Sequence, residues 1–238
     1  SGRGARSAAL RLANADAETR TDALRSIADA ILAANANDVA EAETMLDRGE
    51  YTQALVDRLT LDETKIESIA SMVESVAEQD DPLGETLAAR ELDADLELYR
   101  VSVPIGVVAA VFESRPDALV QIAALALKSG NAVVLKGGSE AAASNRVLYE
   151  TIVEATPELP DGWAALIEAH EAVDRLLELD DRVDLVMPRG SSAFVSHVQD
   201  ATQIPVLGHT EGVCHVYVDE AADVDEAVDV AYDAKVQY

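Results

Sequence analysis

Residues 104–145 read PIGVVAAVFESRPD (104–117), ALVQIAALALKSGN (118–131) and AVVLKGGSEAAASN (132–145). The apolar run from Ile105 to Phe112, with valines at 107, 108 and 111, is short and lacks a 3.6-residue face, so it reads as a strand buried on both sides. Pro116 opens a helix carrying Leu119, Ile122, Ala123, Leu125, Ala126 and Leu127. It stops at Ser129-Gly130-Asn131, where Gly130 suits the left-handed position just past a C-terminus. A second buried strand, Ala132 to Leu135, follows at once. Two parallel strands joined by one helix form a βαβ unit, whose right-handed crossover sets both carboxyl ends on one edge of the sheet. Ligands of such sheets sit on that edge.

The second strand runs into Lys136, Gly137, Gly138, Ser139 and Glu140. Paired glycines permit close backbone approach, and Ser139 is placed to cap a helix beginning near Glu140. Lys136 can meet a ribose or a 2′-phosphate, and a helix N-terminus offers amide donors to an anion. An ordinary strand-to-helix loop accounts for the same residues equally well, and the Gly-x-Gly-x-x-Gly dinucleotide fingerprint is absent.

Downstream, strand and helix alternate. A helix is expected over Ser144 to about Ala155, a strand around Trp163 to Ile167, a helix over Ala172 to Leu179 and a strand over Val183 to Met187. The last ends in Pro188, Arg189, Gly190, Ser191 and Ser192, with a helix over Ala193 to Asp200. Gly190 gives room, while Ser191 and Ser192 supply hydroxyls and amides that suit a pyrophosphate; a capped turn is the plain alternative. Arg189 is a phosphate candidate or a surface charge. Residues 203–212 read as a short strand and turn, Cys214 to Val218 as a further strand, and Asp223 to Val236 as an amphipathic helix. The class is α/β with a mainly parallel sheet.

Upstream, residues 5–80 are helical in pattern, with apolar positions Ala8, Leu12, Leu24, Ile27, Ile31 and Leu32 and breaks at 35–38 and 47–51. Leu55, Leu59, Ile66, Ile69, Met72 and Val73 should bury a stripe against the sheet layer. Residues 92–103 alternate apolar and polar side chains, as a half-exposed antiparallel strand or ribbon does, and such a strand needs a partner or an edge defence.

Of 238 residues 49% are hydrophobic, enough to bury a real core. A formal charge of −27 argues against nucleic acid and anionic membranes as partners. Only Lys65, Lys128, Lys136 and Lys235 are lysines, and an acidic, lysine-poor surface is expected of a protein from a high-salt cytoplasm. The lone Cys214 excludes an internal disulfide and fits a reducing compartment; within its apolar run it should be buried and inert. No apolar run approaches the roughly 18 residues of a membrane helix, and no signal peptide is evident, so the expected location is cytoplasmic. The first residue is not Met and need not be the gene's start.

Five motifs stand in one order: Glu113-Ser114-Arg115-Pro116, Leu127-Lys128-Ser129-Gly130-Asn131-Ala132, Lys136-Gly137-Gly138-Ser139-Glu140, Asp184 to Gly190, and Gly212 to Asp219. Together they resemble the γ-glutamyl phosphate reductases (glutamate-5-semialdehyde dehydrogenases), the proline-biosynthesis branch of the aldehyde dehydrogenase superfamily. The resemblance implies a Rossmann-type cofactor domain with N-terminal helices and a β-ribbon arm, divided as residues 1–91, 92–103 and 104–238. It implies NADP as cofactor, held by Lys136, Gly137, Gly138, Ser139, Glu140, Arg189, Gly190, Ser191 and Ser192. By itself Lys136 favours a 2′-phosphate, whereas Glu140 accepts from ribose hydroxyls and repels that phosphate.

The implied reaction is reduction of γ-glutamyl phosphate to glutamate semialdehyde with release of phosphate, through a cysteine thioester. The implied nucleophile lies just beyond Tyr238, so this chain holds no catalytic cysteine and most of the catalytic domain is absent. Ser114 and Arg115 stand where the superfamily steadies an oxyanion; Arg115 can clamp the acyl phosphate or the cofactor, or simply pair with Glu113. His209 stands near the superfamily's water-activating glutamate and is the third candidate toward substrate. The implied partners are γ-glutamyl phosphate, glutamate 5-kinase as pathway neighbour, and further copies of the chain through the ribbon. Another acylating aldehyde dehydrogenase, or a non-catalytic nucleotide-binding module, remains as an alternative.

Overall fold

The computed structural model describes residues 2–33, 63–112, 116–138, 141–168, 172–208 and 214–236. Among the described residues three helices come first: α1 (Gly2–Leu12), α2 (Ala17–Ala33) and α3 (Glu63–Glu78). Ala8, Leu12, Leu24, Ile27, Ile66, Ile69 and Val73 are buried, as their spacing requires. The breaks at 35–38 and 47–51, with Leu55 and Leu59, lie outside the described residues.

An antiparallel hairpin follows, β1 (Thr86–Asp93) with β2 (Leu96–Val101), closed by a turn in which Asp95 takes a φ of 63°. It starts earlier than the alternating run suggested, and it is exposed on both faces rather than one. Alternation marks a strand, but only packing decides whether its apolar face is covered.

The centre of the fold is a parallel sheet in the order β5-β4-β3-β6. Its strands are β3 (Val107–Phe112), β4 (Ala132–Lys136), β5 (Ala164–Leu166) and β6 (Leu185–Arg189). Residues 107–112 and 132–136 are buried throughout, as continuous apolar runs in a doubly covered sheet should be. Joining β3 to β4 is α4 (Pro116–Lys128), whose end is fixed by Gly130 at φ 69°. There the amide of Asn131 donates to the Ala126 carbonyl at 2.8 Å and that of Gly130 to Leu127 at 3.0 Å, the paired bonds of a Schellman cap. The remaining connections are α5 (Ala142–Glu154) and α6 (Ala172–Leu177); α7 (Ser192–Ala201) follows β6. Residue 206 bridges in parallel to Val186, extending the sheet by one short segment beyond β6.

Each face of the sheet has its own core. Leu24, Ile27, Val73, Leu119, Leu127, Val133, Leu135 and Ile152 pack on the side of α2, α3, α4 and α5. Val107, Ala109, Val111, Val134, Leu176, Val186 and Val198 pack on the side of α6 and α7. The helix α1 feeds both cores and runs along the amino edge of the sheet: Arg6 is paired with Asp184 just before β6, and Gly4 lies against Gly162 just before β5. The turns after β4 and β6 lie on the opposite, carboxyl edge.

Two expectations fail towards the end of the chain. Cys214 to Val218 is irregular and exposed, not a strand, because no neighbouring strand among the described residues offers it a ladder. Cys214 is accordingly an exposed free thiol rather than a buried one. Its sequence neighbours are apolar, but nothing described packs on them. The final helix, α8 (Val224–Val236), forms where its pattern indicated yet buries none of its residues.

Candidate functional site

The strand register fixes the geometry of the carboxyl edge. Val111 is paired with Lys136 of β4 on one side and with Pro188 of β6 on the other, and Phe112 is paired with Arg189. The turns after β4 and β6 therefore flank the end of β3 at one level. Neighbouring strands lie ~4.8 Å apart, which separates the two turns by about 10 Å. After β3 the chain crosses by α4 on one face, whereas α7 follows β6 on the other. The two helices lie on opposite faces, which makes the end of β3 beside β6 the switch point where open α/β sheets take ligands.

At the β4 turn, Lys136 is only 3% exposed, and its ammonium is turned back to donate to the carbonyl of Gly137. It braces the turn from inside. Gly137 has no room for a side chain, since a Cβ there would collide with the carboxamide of Asn145 on α5. Asn145 is itself 3% exposed, and among the described residues its Oδ1 accepts no hydrogen bond. Gly137, Gly138, Ala142, Asn145, Leu166, Ile167 and Glu168 line a cleft between the ends of β4 and β5. Across its rim Arg146 holds Glu168, with Nε at 2.8 Å and Nη2 at 2.6 Å from the same carboxylate oxygen. That hydrogen bond, and then the carboxylate's charge, push the Arg146 guanidinium above its ordinary pKa.

The expected Ser139 cap is replaced. The N-cap position of α5 is Ala141, which offers no side-chain acceptor, so the helix begins later than Glu140. Helix α7 differs: Ser191 is its N-cap, and its Oγ accepts from the amide of Phe194 at 3.3 Å. Ser191 thus caps the helix through an Oγ lone pair, which leaves its O–H to donate, so the capped turn and the hydroxyl toward a ligand are compatible. Arg189, Gly190, Ser191 and Ser192 are all exposed on the carboxyl edge. Of the remaining candidates, Ser114, Arg115, Ser139, Glu140 and His209 lie outside the described residues.

Sequence reasoning passed over Asn145 and Glu168. Asn145 carried a readable signal, a polar residue on the inward face of an apolar helix. Glu168 reaches the rim only through strand order, because β5 lies beside β4.

A parallel sheet with helices on both faces and two glycine turns on its carboxyl edge is the doubly wound α/β arrangement, whose ligands sit at that edge. Residues 3–238 match the aldehyde dehydrogenase family, and the chain belongs to it. It is similar to the gamma-glutamyl phosphate reductase of Haloquadratum walsbyi, 70% identical over 98% of this chain and 53% of that protein. It is similar to that of Natronomonas pharaonis too, again 70% identical, over 98% of this chain and 55% of the relative. Among solved structures, the gamma-glutamyl phosphate reductase of Thermotoga maritima superposes with a TM-score of 0.87 at 36% identity, covering 99% of this chain and 59% of that one. The chain spans about half the length of the curated relatives it matches.

The family generally binds NAD(P), and the carboxyl edge fits such a group. The fit rests on a buried acceptor at Asn145 without a partner among the described residues, on Gly137 and Gly138 lining the cleft with backbone, and on a 13-residue helix whose start has no side-chain cap.

Proposed function

We propose that this chain forms the cofactor-binding part of an NADPH-dependent reductase acting on γ-glutamyl 5-phosphate, in proline biosynthesis. The observation that carries the reading is the pair of turns at Gly137 and Gly190, which flank the end of β3 on one edge of the sheet. A dinucleotide lying across both would set its diphosphate at the Gly190 turn and its adenosine half at the Gly137 turn. When bound, the cofactor supplies hydride to an acyl group.

The chain's own residues hold and orient. Amides of the Gly190–Ser192 turn and the first turn of α5 face the anion. Lys136 keeps the β4 turn rigid and lends it positive charge, which favours NADP over NAD. Ser114 and Arg115 are assigned to the acyl phosphate and His209 to the substrate end, with Ser139 and Glu140 at the ribose. The nucleophilic cysteine is assigned to a position after Tyr238, which leaves Cys214 outside the chemistry. The exposed apolar hairpin is assigned to assembly with further copies of the chain, and glutamate 5-kinase is the pathway neighbour that makes the substrate. A cytoplasmic location and a high-salt host complete the reading, the latter supported by the −27 charge and the scarcity of lysine.

Titration of the protein with NADPH in high salt tests this. Saturable binding is expected, weakened about tenfold by Lys136→Ala, the scale of the one charge-assisted hydrogen bond to the Gly137 carbonyl that braces the turn. An absence of binding, or binding indifferent to that substitution, removes the proposed site.

A further inference from the structure

Asn145 sits on the first turn of α5, its amide packed so tightly beneath Gly137 that position 137 has no space for a Cβ. Its Oδ1 is buried and accepts nothing from the described residues. The other buried side-chain polar atom without a partner among the described residues is Nε of Arg20, whose guanidinium is otherwise engaged by Asp81 and the Ala15 carbonyl. Asn145 has no such compensation. A buried oxygen left unpaired carries the desolvation penalty of a missing hydrogen bond, so its retention asks for a use. The carboxamide lines the cleft between β4 and β5. There the neighbouring acceptor, Glu168, is already taken by Arg146. The wall offers apolar surface from Leu166 and Ile167, the backbone of Gly137 and Gly138, and one acceptor unengaged among the described residues.

Resting on the nucleotide reading above, we propose that Asn145 is a binding residue for the adenosine half of the cofactor. Its Oδ1 accepts a hydrogen bond from a ribose hydroxyl or from the adenine amino group, and its close packing is the reason that position 137 is glycine. The cleft lies on the β5 side of β3, away from the Gly190 turn, so the end of the dinucleotide remote from the diphosphate reaches it.

Calorimetric titration of the full-length protein with NADPH, beside thermal melts without nucleotide, tests the assignment. Asn145→Ala and Asn145→Leu delete an unpaired buried oxygen, so both should melt at or above the wild-type temperature while binding NADPH about tenfold more weakly. Gly137→Ala should lose binding, and the double variant with Asn145→Ala should recover part of it, because removing the carboxamide frees the space. The hypoxanthine analogue of NADPH separates the two donors. Wild type and Asn145→Ala bind it equally if the amino group is the donor, and the tenfold gap persists if a ribose hydroxyl is. Wild-type affinity in Asn145→Leu together with a lowered melting temperature overturns the proposal, since the residue is then structural. If the wild-type protein itself fails to bind NADPH, the nucleotide reading falls, and this inference with it.

Discussion

At the scale of single residues, Gly106 is the most constrained position before the sheet. Its φ is +127°, and a Cβ would strike the carboxylate of Asp184. That carboxylate accepts the amide of Val107 at 2.9 Å and pairs with Arg6, so it ties the starts of β3 and β6 to α1. Gly106→Ala must adopt a backbone conformation costly for an L-residue and displace the carboxylate as well. The expected loss is roughly 2–4 kcal/mol, read as a lower urea midpoint with an unchanged slope. The role of this glycine is invisible in sequence, where it looks like one more residue of an apolar run. Gly130 was legible, because a glycine directly after a periodic helix has a local explanation.

Between elements, two buried cations act as ties. Lys128, at the end of α4, donates to the carbonyl of Ala77 in α3 at 2.9 Å. Arg20 is 2% exposed and joins the α1–α2 turn to the segment after α3, with Nη2 at 2.6 Å from Asp81 and Nη1 on the carbonyl of Ala15. The two halves of the Arg20–Asp81 pair are unequal. Removing the half-exposed acid strands a buried guanidinium, whereas replacing the arginine by an apolar side chain removes the charge and the need for its partner. Asp81→Ala should therefore cost about 3 kcal/mol, and Arg20→Met clearly less. Thermal melts of both variants check the order, and equal losses would show that the pair is not effectively buried. Existence and type were readable for α4, β3, β4, β5, β6 and α7, since each carries its own period and punctuation. The strand proposed over Cys214 to Val218 was misread because β-propensity describes a side chain's fit to a sheet and cannot supply the sheet.

For the molecule as a whole, charge dominates. A net −27 spread over 238 residues repels itself at low ionic strength, and the Debye length falls from about 10 Å at 0.1 M salt to about 3 Å at 1 M. The melting temperature should rise steadily between 0.1 and 2 M KCl, and a flat or falling curve would refute the high-salt reading. Two of the four lysines, Lys128 and Lys136, are buried and act on backbone carbonyls, so the exposed surface has almost none to offset its acids. Among the described residues, exposed apolar side chains include Leu87, Leu96, Leu98 and Tyr99 of the hairpin, Val216, Tyr217 and Val218, and Val224, Val228 and Tyr232 of α8. Among the described residues, no helix is long and apolar enough to cross a membrane.

Read alone, the chain determined its α/β class, the βαβ unit over 104–136 and the two glycine turns, because each is written in local period, helix stops and residues that free the backbone. Tertiary structure alone decided that strand order brings both turns to the end of β3. It alone buried Lys136 inward, handed the start of α5 to Ala141 and set Asn145 beneath Gly137 with its oxygen unpaired among the described residues. Those facts depend on which residues far apart in sequence come to share one edge, and hydrophobic pattern records only that a residue is buried, not against what.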